Sequence, residues 1–125
     1  MAESVYDLYQ RGLELLERGD FHAAIVPLTR ARDHEPGKTS IREALGRALF
    51  HARHYEGAAA EFGAVAERAP TNDYALFCLG RSMQLLGRHR EACQPLALAC
   101  SLRPEREDYR VYRDRARRDA RPRAA

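Results

Sequence analysis

Glycine, alanine and proline recur at one offset along this chain, and that offset constrains the fold more than any other feature. Shifted by 34 residues, Gly12 falls on Gly46 and Gly80, Ala24 on Ala58 and Ala92, and Pro36 on Pro70 and Pro104. Leu28, Phe62 and Leu96 coincide in the same frame, as do Leu15, Leu49 and Met83. Phe21 and Tyr55 match, with His89 as a weak third member. A fixed period of this length marks stacked supersecondary units, each unable to bury its apolar face alone.

Within a unit the apolar spacing is helical. Leu8, Gly12 and Leu15 lie on one face of a helix, and Ala24, Leu28 and Ala31 on one face of the next. Each glycine is expected where a second helix crosses too closely for a Cβ, with Ala24, Ala58 and Ala92 as its counterparts on that helix. Gly19-Asp20, Arg53-His54 and Gly87-Arg88 fall at the turns within units, and Asp20 is expected to N-cap the helix that starts at Phe21. The recurrent prolines close the units, because proline cannot extend a helix and biases its predecessor away from αR. Pro27 and Pro95 share a repeat position inside second helices, where a lost hydrogen bond predicts a bend.

Quoted as RGLELLERGDFHAAIVPL, LGRALFHARHYEGAAAEF and LGRSMQLLGRHREACQPL, residues 11–28, 45–62 and 79–96 resemble the tetratricopeptide repeat, a 34-residue helix–turn–helix unit. The resemblance covers residues 5–104, in units 5–38, 39–72 and 73–106. Three departures stand out: Arg42 where the other units have Leu8 and Leu76, Arg11 where they have Leu45 and Leu79, and His89 at the aromatic position. The resemblance implies an all-α, right-handed superhelix (a solenoid) of three helix pairs with a C-terminal capping helix. That makes seven helices, in one domain over 1–119 with the cap at about 105–119 and a disordered tail over 120–125.

It also implies a concave groove lined by the first helix of each pair. The family's groove positions carry over to Tyr6, Tyr9, Leu13, Leu16 and Glu17, then Ser40, Glu43, Arg47, Phe50 and His51, then Tyr74, Phe77, Arg81, Gln84 and Leu85. Five of the ten Phe and Tyr residues fall on this set, with two arginines, and these are hot-spot residue types at protein interfaces. The bland reading is that Tyr6, Leu13 and Leu16, having no preceding helix, pack locally. The groove suits an apolar or aromatic peptide or an amphipathic helix, with Arg47 and Arg81 available to an acidic residue. The family's two-carboxylate clamp for chaperone tails needs Lys and Asn where this chain has Tyr9 and Leu13, Asn where it has Ala44, and two basic residues where it has Tyr74 and Cys78, so no such clamp is expected.

Chemistry is otherwise sparse. No nucleophile–base set, nucleotide-binding glycine loop or complete metal-ligand spacing can be assembled; His89 with Cys93, one turn apart, is the only start on a zinc site. The three cysteines, Cys78, Cys93 and Cys100, read as small core hydrophobes, and their odd number argues against a disulfide scaffold. Acidic residues read as a solvated face. The expectation is therefore a non-catalytic adaptor or scaffold with no cofactor and no metal. The N-terminus shows no secretory pattern, which predicts a cytoplasmic address with no membrane association.

Charge is concentrated at one end. Residues 105–125 carry 8 Arg against 5 Asp or Glu, which accounts for the whole formal charge of +3. Interspersed acids favour helix-surface pairing over a nucleic-acid footprint. An accessory role on nucleic acid or an acidic surface stands as the alternative function, and a homodimer formed through the apolar stripe as a third.

Overall fold

The computed structural model describes residues 3–122. Seven α-helices and no strand occur among them: α1 (Val5–Glu17), α2 (Phe21–His34), α3 (Thr39–His51), α4 (Tyr55–Arg68), α5 (Asp73–Leu85), α6 (His89–Leu102) and α7 (Glu107–Asp119). First helices begin at Val5, Thr39, Asp73 and Glu107, so the 34-residue frame extends into α7. Each helix packs on its neighbour in sequence, and α1 touches α3 and α5 touches α7 across the intervening helix. The result is an all-α helical repeat whose core is a continuous string of small clusters rather than one centre.

The turns within pairs are built three times in the same way. The N–H groups of Asp20, His54 and Arg88 donate to the carbonyls of Leu15, Leu49 and Met83 at 2.9, 2.8 and 2.8 Å. This six-to-one bond satisfies an orphan helix carbonyl and demands a left-handed residue just before it. Gly19 (φ 79°) and Gly87 (φ 78°) supply it, but Arg53 must adopt φ 66°. Asp20 does stand at the N-cap of α2, as expected, but its ψ of 67° lies outside the extended range of a normal N-cap and its side chain makes no cap bond. Side-chain caps appear instead on first helices. Ser4 Oγ accepts from the Asp7 N–H at 3.1 Å and Asn72 Oδ1 from the Ala75 N–H at 3.0 Å.

The glycines mark close crossings, but the alanines are not what crosses them. A Cβ on Gly12 would lie 2.4 Å from Leu28 Cγ, one on Gly46 2.9 Å from the Phe62 ring, and one on Gly80 2.5 Å from Leu96 Cγ. The large side chain one turn after each alanine fills the space a Cβ would take, and Leu28, Phe62 and Leu96 are fully buried for that reason. Burial of each contributes about 1.5–3 kcal/mol. Helices α2 and α6 run through Pro27 and Pro95, both buried, as single elements.

Glu61 corrects the expectation that acidic residues lie on the solvent face. It is 3% exposed, with its carboxylate 2.9 Å from Arg32 Nη1 and 2.8 Å from Arg42 Nη1. Arg42, the departure at an apolar position, also donates from Nε to the Pro36 carbonyl at 2.7 Å. Two charged substitutions in the second unit are thus partners, tying α2, α3 and α4 together.

Helix α7 repeats only half of a first helix. Its Tyr109, Tyr112 and Ala116 stand at the positions of Ala75, Cys78 and Ser82, the side that packs on the preceding pair. At the positions of Leu76, Gly80 and Met83, which in α5 meet the following helix, it has Arg110, Asp114 and Arg117. The expected disorder over 120–125 falls partly outside the described residues. Ala120 belongs to the helix end, its N–H donating to the Ala116 carbonyl at 2.9 Å.

Candidate functional site

A cleft of about 890 Å³ opens between α3, α5 and α7. Of the residues expected in the groove, Arg47, Phe50, His51, Tyr74, Phe77 and Arg81 line it. The others lie elsewhere. Tyr6 (69% exposed) and Tyr9 border a smaller depression with Glu35, Lys38 and Ile41. Leu13 packs against the first core cluster, and Leu16 is buried within it, because α1 turns that edge toward α3. Glu17, Ser40 and Leu85 are exposed away from the cleft. Glu43 is half-buried and accepts from Asn72 Nδ2 at 3.3 Å, so it bridges units. Gln84 is buried: its Nε2 donates to the Tyr112 carbonyl at 2.9 Å and its Oε1 accepts from Arg81 at 2.9 Å.

The capping helix forms one wall of the cleft, which residue-by-residue transfer from three repeats does not anticipate. Tyr109 stacks on Phe77 with ring centroids 4.5 Å apart, and Tyr112 meets the same ring edge-on at 5.7 Å. The Arg81 guanidinium lies 4.0 Å from the Tyr112 centroid, a cation–π contact. Tyr109 Oη donates to Asp73 Oδ2 at 2.7 Å, so this buried hydroxyl has its partner. Continuing the 34-residue frame past Pro104 is the signal that finds these residues.

Electrostatics divide the cleft in two. Near the α6–α7 loop, Arg106 pairs with Asp108 at 2.7 Å and Arg103 with Glu105 at 2.5 Å and Asp73 at 3.9 Å, leaving little uncompensated charge. Toward the middle, Arg81 has no carboxylate partner, and desolvation by burial lowers its pKa. Cys78 sits in the cleft wall with its thiol pushed up to about 12, chiefly by burial. Burial likewise raises the Tyr74 and Tyr109 phenols. All three are neutral near pH 7, so Cys78 offers no thiolate for chemistry. Cys100 is buried and Cys93 half-buried, its Sγ donating to the His89 carbonyl at 3.3 Å. Among the described residues, no group of three His, Cys, Asp or Glu side chains could hold a metal ion, and no helix is long and apolar enough to cross a membrane.

The repeat frame and the aromatic cleft define a helical-repeat protein with a concave face. The family model for the tetratricopeptide repeat matches residues 15–77, just over half of the chain, and the chain belongs to that family. It is 30% identical over 100 residues to superkiller complex protein 3 of Mus musculus, an alignment spanning 80% of this chain but only 6% of that protein. Among solved structures, MamA MSR-1 C2 superposes with a TM-score of 0.87 at 23% identity, covering 93% of this chain and 67% of that one. The first tetratricopeptide domain of Spaghetti (RPAP3), bound to the HSP90 peptide SRMEEVD, superposes with 0.83 at 16% identity, covering 91% and 90%. The Arabidopsis OM64 domain gives 0.83 at 17% identity, covering 91% and 94%. At these identities the structures establish the fold. Repeats of this family are commonly protein–protein interaction modules.

Proposed function

We propose that the chain is a non-catalytic adaptor that takes an apolar or aromatic segment of a partner protein, carrying an acidic residue, into the cleft between α3, α5 and α7. The observation that carries this reading is the cleft's composition: aromatic rings and an unpaired arginine line a concavity that the chain's own side chains leave open. Arginine and tyrosine dominate hot spots at protein interfaces, and the volume suits several inserted side chains. Ala44 is buried and Cys78 is a neutral thiol at two positions the chaperone-tail clamp needs polar. This supports a ligand other than a clamped terminal carboxylate. Within the Arg-rich tail, Arg106, Arg113, Arg117 and Arg118 already contact Asp108, Asp114 and Asp119, which weighs against a phosphate-binding face there.

The test is affinity capture from source-cell lysate with wild type beside Arg47→Glu with Phe50→Ala. Phe50 also packs on the edge of the Ala58, Phe62, Val65 and Ala75 cluster, so the variant is first shown to keep wild-type helicity by circular dichroism. A partner held by wild type and lost by the variant is the expected result. Equal retention by both proteins would remove the cleft as the site.

A further inference from the structure

Arg47, Arg81 and Arg115 occupy one repeat position on α3, α5 and α7, each 34 residues from the next. Leu13 holds that position on α1, so the row begins at the second unit. None of the three is within ion-pair distance of a carboxylate among the described residues, whereas Arg103 and Arg106, which line the cleft with Arg47 and Arg81, are both paired; Arg115 lies just beyond that lining, beside Tyr112. Arg81 and Arg115 lie 4.0 and 4.9 Å from the centroid of the same Tyr112 ring. Two like charges are thus held against one aromatic surface with no acid between them. Arg115 accordingly lowers the Arg81 pKa further, after desolvation and against the opposing influence of Tyr112. Such an arrangement gains when an external anion supplies the missing charge.

We propose that this arginine ladder recognises an extended acidic segment of a partner protein, with carboxylate side chains at about every third residue and apolar or aromatic residues between them. This rests on the reading of the cleft as a partner site and adds its register. Arg81 and Arg115, at 4.0 and 4.9 Å from one ring centroid, bring their guanidiniums no more than about 9 Å apart. A polyproline-II chain returns to the same face every three residues, or about 9 Å, which matches one carboxylate to each helix. Neighbouring acids on a helical ligand stand only about 5–6 Å apart. A nucleic-acid backbone fits less well, because Asp73 and Asp108 line the same cleft and Glu43 stands one turn from Arg47.

The experiment uses the full chain and a fluorescein-labelled, C-terminally amidated peptide of three Glu-Phe-Pro triplets, read by anisotropy at low and high salt. The Gln-for-Glu analogue, a helical peptide with acids seven apart and a U-rich RNA nonamer are run beside it. The glutamate peptide should bind at least tenfold tighter than the glutamine analogue at low salt. Arg47→Gln and Arg115→Gln, both at exposed positions, should each lose about threefold, and half-buried Arg81→Gln about tenfold. Phe50→Ala should weaken both extended peptides alike. Equal binding of the two extended peptides, with loss on Phe50→Ala, overturns the ladder and leaves the cleft reading standing. Failure of both to bind, or tighter binding of the helical peptide or the RNA, overturns the proposed ligand.

Discussion

Gly80→Ala places a methyl group where none fits, and the size of the effect follows from the contacts. The new Cβ would lie 2.5 Å from Leu96 Cγ and 2.7 Å from Leu96 Cδ2, about 1 Å inside ordinary contact. Leu96 is 0% exposed, so it has no open space to enter. With Leu96 unable to move aside, overpacking falls in the upper part of its usual range, about 2–3 kcal/mol, and alanine returns about 1 kcal/mol of helix propensity over glycine. The net loss is about 1–2 kcal/mol, or roughly 4–8 °C in Tm for a chain of this size. Urea unfolding followed by helical circular dichroism should show a lower midpoint with an unchanged m-value. The decisive arm is the Leu96→Ala background. That change alone costs about 2–5 kcal/mol, but it removes the obstruction, so adding Gly80→Ala should then be neutral or stabilising by up to about 1 kcal/mol. A neutral Gly80→Ala in the wild-type background, or an equal cost in both, would refute the crossing argument.

Arg53 holds a left-handed backbone, φ 66°, at the turn position that glycine fills in the other two units. Arg53→Gly should therefore stabilise the chain by about 0.5–1 kcal/mol, relief of strain outweighing the entropy glycine adds to the unfolded state; a lower urea midpoint would contradict this. Alkaline pH should weaken the fold. The Cys78 thiol is raised from its ordinary 9.0 to about 12, so its contribution is complete below pH 9 and declines as pH rises toward 12. The raised Tyr74 and Tyr109 phenols act in the same direction above pH 10. The loss is at most about 1.4 kcal/mol per pH unit for each group, and an unchanged urea midpoint between pH 8 and 10.5 would exclude it.

The helical frame was legible because packing leaves a periodic mark: a glycine wherever a large side chain crosses, and a proline wherever a unit closes. What was not legible lay in pairings between departures. Taken alone, Arg42 read as a departure in the second unit, and Glu61 passed as one more solvated acid. Glu61 shares its repeat position with the buried Pro27 and Pro95, and that coincidence, joined to Arg42 at an apolar position, is the signal for a buried ion pair. Asp20 takes the N-cap place its residue type suggested, but at the six-to-one turn its side chain makes no cap bond. The groove set was half legible. Phe50, Tyr74 and Phe77 do meet around one cleft, whereas Leu16 and Gln84 are consumed by packing. The α7 wall was missed because its polar outer face hides that Tyr109, Tyr112 and Arg115 continue the repeat.

The most direct measurement is site-specific photo-crosslinking in the source cell. A benzophenone side chain would replace Phe50 in the cleft or Val26, which is 55% exposed on α2 and lies outside the cleft lining. The account predicts a discrete partner adduct from position 50, competed by the acidic peptide, and none from position 26. Adducts from position 26 alone would contradict it and place recognition outside the cleft.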